Sequence, residues 1–138
     1  MAAPLYLDSS AVLRALLETG TSPELESRLK EAPFLVTSRL SLVETSRALL
    51  RLRREGKVPE TTLADQRRAL DELWSRTEIW EITERVCRLA QQAAPLHPLR
   101  TLDALHLATY LEARSHLSDL ELLTADKRLA EAAGEFAI

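Results

Sequence analysis

The sequence predicts an α/β protein, a three-layer α/β/α sandwich around a short, mainly parallel five-stranded sheet. Two observations predict this fold. Short apolar runs, typical of strands buried on both faces, alternate along the chain with longer segments whose apolar residues recur at helical spacing. Capping residues or prolines open several of these longer segments, as expected for helices. Strands joined through helices by right-handed crossovers lie parallel and are covered on both faces.

Each element is assigned from its own pattern, in chain order. The predicted strands are the apolar runs at residues 4–7, 34–37, 79–82, 121–124 and 136–138. The predicted helices cover residues 11–18, 23–31, 41–55, 59–77, 84–93, 101–115 and 127–133. Pro23 fits a first helical turn, Thr83 and Asp126 are helix caps, and Gly56 and Pro95 end helices.

The amino-acid composition is that of a folded globular protein. The 138 residues are 46% hydrophobic and 28% charged, with only 3 Gly and 6 Pro, so a disordered or low-complexity chain is excluded. We expect one domain over residues 1–138. The net charge of −3 provides no general attraction for nucleic acid, and any such contact therefore requires a local basic patch.

Cysteine content and the N-terminal residues indicate the compartment. Cys87 is the single cysteine, which excludes an intramolecular disulfide and a zinc site of the usual Cys/His spacing. The N terminus lacks the basic region of a signal peptide, and no apolar segment approaches the length of about 18 residues that spans a bilayer. We therefore expect a cytoplasmic protein.

Four carboxylates stand at predicted strand ends or helix starts. Asp8 follows the first strand, Glu44 lies near the start of the helix after the second strand, Asp103 opens another helix, and Asp126 follows the fourth strand. Such positions converge at one edge of a parallel sheet. Clustered carboxylate oxygens are ligands for Mg²⁺ or Mn²⁺. We expect the carboxylates of Asp8, Glu44 and Asp103 to lie within about one coordination sphere, with Asp126 nearby.

Each acid taken alone also has a structural explanation. Glu44 fits a capping box with Ser41, Asp126 fits a helix N-cap, and Asp103 in a first turn favours the helix dipole. Asp8 fits the cap of the first helix. The ordered set of four acids is the feature that these local explanations do not account for.

Four segments carry a family resemblance: Leu-Tyr-Leu-Asp8-Ser-Ser, Ser41-Leu-Val-Glu, Thr101-Leu-Asp-Ala-Leu-His-Leu-Ala and Leu122-Leu-Thr-Ala-Asp-Lys-Arg-Leu-Ala. Together they resemble the PIN domain, and most closely the VapC toxins of toxin–antitoxin pairs, over essentially the whole chain. The resemblance implies a parallel five-stranded sheet between helices. It also implies a metal-dependent endoribonuclease that cuts the phosphodiester by water attack.

The resemblance also assigns roles to particular residues and implies partners. It implies that Mg²⁺ or Mn²⁺ is held by Asp8, Glu44, Asp103 and Asp126. It implies polar support from Ser10 and Thr124. The implied partners are an RNA substrate, a second copy of the chain in a homodimer, and a small VapB-like antitoxin that blocks the acidic site. An antitoxin blocking such a site most simply presents Arg or Lys to it.

Other polar residues are weighed against ordinary structural roles. Arg47, Arg51 and Arg54 share a stripe on the helix that carries Glu44, and they are either an RNA-binding patch or a solvated helix face. His106 lies one turn after Asp103 and either orients a carboxylate or packs in the core.

The predicted helices carry more large apolar side chains than one small sheet needs to cover. We expect some of them to form an exposed patch for a partner. These residues are Leu13, Leu16, Leu17, Leu25, Leu29, Leu49, Leu50, Leu70, Leu73 and Trp74.

Three other functions are alternatives to a metal-dependent endoribonuclease. A haloacid-dehalogenase-type phosphatase needs a second Asp two residues after its nucleophile, where Ser10 follows Asp8. A non-catalytic binding module on the same fold would be expected to lose acids, and all four are present. A PIN nuclease of RNA processing remains open, although such enzymes usually carry appended domains.

Overall fold

The structure, a computed structural model, describes residues 2–17 and 23–134. Its strands are β1 (Leu5–Leu7), β2 (Leu35–Ser38), β3 (Glu78–Trp80) and β4 (Glu121–Leu123). Its helices are α1 (Ser9–Leu16), α2 (Pro23–Glu31), α3 (Arg39–Glu55), α4 (Glu60–Ser75), α5 (Glu84–Ala90), α6 (Thr101–His116) and α7 (Lys127–Ala133). None of the helices within these residues is long and apolar enough to cross a membrane.

The strands form one parallel sheet in the order β3-β2-β1-β4. Leu7, the last residue of β1, is level with Thr37 of β2 and with Leu123 of β4. The residues that follow β1 and β4 therefore emerge side by side at the carboxyl edge of the sheet. This edge is where the loops of a parallel α/β fold can build a site.

Alternation along the strands supplies two apolar cores, one on each face of the sheet. Leu5 and Leu7 face the core that contains residues of α1, α2, α3 and α4. Tyr6, between them, faces the opposite core, which contains residues of α6 and α7. The predicted three-layer α/β/α architecture is thereby confirmed.

The capping signals also appear in the structure. The side chain of Asp8 accepts from the backbone N–H of Ala11 and begins α1, and Thr83 and Asp126 cap α5 and α7 in the same way. Gly56 ends α3 with a φ of +69°, a left-handed conformation that glycine adopts at little cost.

Two details of the prediction differ from the structure. The described sheet has four strands rather than five, and the predicted terminal strand, residues 136–138, lies outside the described residues. The start of α3 was also placed too late: the helix begins directly after β2, with Ser38 as its N-cap. Glu44 is therefore in the second turn of α3 and does not close a capping box with Ser41.

The leucine-rich helices are mostly covered, and part of the set named for an exposed patch remains accessible. Leu13, Leu16 and Leu17 are partly buried, and Leu50 is exposed. The other residues of the set lie in the core because α1 to α4 pack on one another as well as on the sheet: Leu25, Leu29, Leu49, Leu70, Leu73 and Trp74.

Candidate active site

Asp8 lies at the end of the central strand β1 and is almost fully buried, with 3% of its surface exposed. Its Oδ1 accepts from the backbone N–H of Ala11 at 3.0 Å. Burial raises the pKa of the Asp8 carboxyl above its ordinary value, and the hydrogen bonds that the carboxylate accepts act in the opposite direction. Asp8 is thus a desolvated acid with a fixed orientation.

Two hydroxyl groups hold the Asp8 carboxylate from the neighbouring strand end and the following helix. Thr124, directly after β4, donates to Oδ2 at 2.7 Å, and Ser10 donates to the carboxylate at 2.8 Å. Ser10 Oγ also accepts from the backbone N–H of Ala125, and Thr124 Oγ1 accepts from that of Asp126. The structure therefore places both residues predicted as polar support in contact with Asp8.

Glu44 reaches the site from α3 and is held by two donors at one oxygen. Ser9 Oγ donates to Glu44 Oε1 at 3.0 Å, and His106 Nε2 lies 2.7 Å from the same atom. The Glu44 side chain is 25% exposed, whereas that of His106 is 2% exposed. His106 is therefore both a core histidine and a partner of a site carboxylate, so the two interpretations of the sequence are not exclusive.

Asp103 and Asp126 come from the starts of α6 and α7. Partial burial raises the pKa of the Asp103 carboxyl, and the charge of Asp126 raises it further, with smaller contributions from Asp8 and Glu44. Asp126 Oδ1 accepts from the backbone N–H groups of Arg128 and Leu129, so its role as a helix cap is real. The other three predicted acids are thus within electrostatic reach of Asp103.

An open cleft of about 710 Å³ contains three of these acids. Three cationic side chains share its wall, although sequence reasoning had not selected them. The complete lining is Glu44, Arg100, Thr101, Leu102, Asp103, Asp126, Lys127 and Arg128. A polyanion entering this cleft would meet cations beside the acids, an arrangement suited to a phosphodiester backbone.

The predicted arginine patch is not part of this lining. Arg47, Arg51 and Arg54 are exposed on α3, and Arg51 borders a smaller groove of about 130 Å³ on the α1 side of the helix. The cations of the cleft had a simple signal in the sequence: Arg100 precedes the helix start that carries Asp103, and Lys127 and Arg128 directly follow Asp126.

The expected tight carboxylate cluster is not present. Within residues 2–17 and 23–134, no three His, Cys, Asp or Glu side chains form a group that could hold a metal ion as placed. The acids interact across the site but do not form one coordination sphere. Mg²⁺ commonly keeps several waters and needs only one or two direct carboxylates, so the donor chemistry still fits such an ion.

Comparison with known proteins agrees with this architecture. The family model of the PIN domain matches residues 5–135. The chain belongs to the PIN-domain family. Ribonuclease VapC45 of Mycobacterium tuberculosis (strain CDC 1551 / Oshkosh) is 36% identical over 136 residues, covering 94% of this PIN protein and 91% of the relative.

Solved structures reproduce the PIN fold at lower identity. The crystal structure of PAE2754 from Pyrobaculum aerophilum is 22% identical, covers 99% of this chain and 84% of that chain, and has a TM-score of 0.68. The crystal structure of VapBC2 from Rickettsia felis, bound to a DNA fragment from its promoter, has a TM-score of 0.63 at 13% identity, with 98% and 97% of the two chains covered. These likenesses show the fold alone.

Proposed function

We propose that this PIN-domain protein is an endoribonuclease of the VapC type, the toxin of a toxin–antitoxin pair. The single observation that carries the proposal is the convergence of Asp8, Glu44, Asp103 and Asp126 on one edge of the sheet, in a chain of the PIN family. The curated relative named a VapC ribonuclease aligns over nearly its whole length, which supports the same activity.

We further propose that the site takes Mg²⁺ or Mn²⁺. Its charged donors are carboxylates, with hydroxyl groups behind them, the oxygen chemistry that such ions prefer. Burial and then repulsion from Asp126 raise the pKa of Asp103, and a bound cation would relieve this repulsion between carboxylates. When bound, a divalent ion activates the attacking water and offsets charge on the phosphate.

The protein's own residues provide the carboxylate oxygens and the contacts with the RNA phosphates. Asp8 and Glu44 are fixed by hydrogen bonds and provide anchored oxygens, while Asp103 and Asp126 stand on the cleft wall. Arg100, Lys127 and Arg128 hold RNA phosphates beside them. Because such contacts neutralise charge without reading bases, they orient the substrate without selecting its sequence.

Metal-dependent cleavage of an RNA oligonucleotide tests the proposed activity. The wild-type protein is expected to cleave internally in Mg²⁺ or Mn²⁺ and not in EDTA. Asp103→Asn is expected to lose at least about 100-fold in rate, since removal of a group that stabilises charge in the transition state has effects of this order. The matched control is Asp119→Asn, an exposed acid that is not part of the cleft lining. Equal loss in both variants, or full activity of Asp103→Asn, contradicts the proposal.

We also propose that the chain forms a homodimer and binds a VapB-like antitoxin that presents Arg or Lys to the acidic cleft. A chain of the same fold belongs to a structure from Klebsiella pneumoniae that is named a toxin–antitoxin complex, which supports this proposal. Large exposed apolar side chains in this chain are Phe34, Val43, Leu50, Ile82, Leu96 and Leu102. Light scattering at about 10 μM should give twice the chain mass of 15.5 kDa. A strict monomer at this concentration contradicts the homodimer.

A further inference from the structure

A buried hydrogen-bond chain connects the core of the sheet to the site. Tyr6 Oη lies 3.0 Å from His106 Nδ1, and His106 Nε2 lies 2.7 Å from Glu44 Oε1. Tyr6 is fully buried and His106 nearly so. The chain thus links β1, α6 and α3, three elements that meet only through tertiary packing.

The direction of the hydrogen bond between His106 and Glu44 follows from the carboxylate of Glu44. An ionised Glu44 carboxylate only accepts, so His106 Nε2 must carry the proton that it donates. The other ring nitrogen, Nδ1, lies within hydrogen-bond distance of the Tyr6 hydroxyl, so both ring nitrogens have a buried partner. Tyr6 and Glu44 thus contact the two ring nitrogens of His106 and together fix the orientation of its ring.

Both donors to Glu44 act on the same oxygen. Ser9 Oγ and His106 Nε2 each contact Oε1, and no residue in the described part of the chain donates to Oε2. Glu44 belongs to the wall of the cleft that also contains Asp103 and Asp126. One carboxylate oxygen is therefore occupied by the protein, while the other remains for a ligand in the cleft.

We propose that Tyr6 and His106 are positioning residues: the hydrogen bond between Tyr6 and His106 fixes the imidazole, which holds Glu44 on the cleft wall, where this carboxylate would help to bind a divalent ion. This inference rests on the proposed nuclease function. Metal ligands are commonly oriented by such outer hydrogen bonds, whose loss weakens metal binding about 10- to 100-fold. Neither Tyr6 nor His106 lines the cleft, so both act through Glu44 rather than on RNA.

Manganese affinity of the RNA-free protein is the direct measurement, made by electron paramagnetic resonance titration. Tyr6→Phe keeps the ring but removes the hydroxyl group, so Nδ1 of His106 loses the partner that fixes the imidazole on the side away from Glu44. We expect Mn²⁺ binding to weaken about 5-fold in Tyr6→Phe and more than about 10-fold in His106→Leu. His106→Gln retains an amide donor and is expected to recover part of the affinity.

The matched control is Tyr110→Phe. Tyr110 is equally buried in the same core, and its hydroxyl donates to the backbone carbonyl of Leu120 and accepts from Arg114. Its Mn²⁺ affinity should equal that of the wild type. In cleavage assays, Tyr6→Phe should recover most of its kcat at high Mn²⁺ with KM for RNA unchanged, a pattern that lost stability alone does not produce.

The outcomes separate this inference from the proposed function. A wild-type protein that binds Mn²⁺ and cleaves RNA, with Tyr6→Phe and His106→Gln of unchanged affinity, overturns the positioning role alone. A folded wild-type protein that binds no Mn²⁺ and cleaves no RNA overturns both. Circular dichroism of each variant verifies folding, and Tyr6→Phe with His106→Gln keeps the test valid if His106→Leu does not fold.

Discussion

The Thr124 hydroxyl donates to Asp8 Oδ2 at 2.7 Å and thereby joins the carboxyl ends of two neighbouring parallel strands, 116 residues apart in sequence. The same hydroxyl oxygen accepts from the backbone N–H of Asp126. Thr124 therefore connects the buried acid of the site to the start of α7. The contact with Asp8 is made by the hydroxyl group of Thr124 and not by the rest of its side chain.

Thr124→Val should separate the effect of the hydroxyl group from that of side-chain size, because valine has nearly the same shape without the hydroxyl. The change leaves a buried carboxylate oxygen with one donor fewer, at a cost of about 1–3 kcal/mol in the free energy of unfolding. Metal-dependent cleavage should fall as Asp8 loses its orientation. Thr124→Ser keeps the hydroxyl and is the control. If the Val variant matches the Ser variant in both thermal unfolding and cleavage, the hydroxyl has no such role.

Asp8→Asn should abolish metal-dependent cleavage and stabilise the metal-free protein. Burial disfavours the charged form of Asp8, whereas an asparagine is neutral and still caps α1. A gain of about 1 kcal/mol corresponds to a rise in Tm of about 4 °C for a chain of this size. Scanning calorimetry in EDTA measures it, with exposed Asp119→Asn as the control. Retained cleavage or a lowered Tm argues against this account of Asp8.

The difference in stability between Asp8→Asn and the wild type should depend on pH. The folded pKa of Asp8 lies above its ordinary value of 3.8, so between these two pKa values the native state binds more protons than the unfolded chain. The free energy of unfolding of the metal-free wild type therefore falls as pH rises through this window. Asp103 contributes in the same direction.

Calorimetry in EDTA at several pH values from 4 to 7 tests this dependence. The advantage in Tm of Asp8→Asn over the wild type should be greatest at the highest pH and shrink as the pH falls through the raised pKa of the folded-state Asp8 carboxyl. Saturating Mn²⁺ at pH 7 should remove the advantage by stabilising only the wild type. If the difference in Tm is constant from pH 4 to 7, the charge of Asp8 does not cause it.

Local signals in the sequence were enough for much of the fold. Asp126 caps α7 and Gly56 ends α3, as their types predict, because capping and left-handed φ depend on adjacent residues. The start of α3 differs from the predicted residue 41 because an earlier serine is its N-cap. Ser38, at the end of β2, took that role, and Ser41 Oγ instead accepts from the buried Thr37 hydroxyl.

The contacts between distant elements were beyond sequence reasoning. His106 and Glu44 are 62 residues apart, and their hydrogen bond exists only because α6 and α3 approach the same strand end. The partner of a histidine in one helix is therefore not visible in its local pattern. The same limit applied to the predicted arginine patch, since helical spacing shows that cations share a face but not where that face points.

The position of the cations leads to the last prediction, which concerns RNA binding. Lys127→Gln and Arg128→Gln should each weaken binding of a single-stranded RNA oligonucleotide about 3- to 10-fold and reduce the slope of log affinity against log salt by about 0.7, the value for one lost phosphate contact. Arg51→Gln and Arg54→Gln remove the same charge from α3, outside the cleft lining, and should change neither. Fluorescence anisotropy at several salt concentrations, in an Asp103→Asn background to prevent cleavage, measures both quantities. Stronger effects of the α3 variants would instead place the RNA along that helix, because phosphate contacts report where the backbone lies regardless of its sequence.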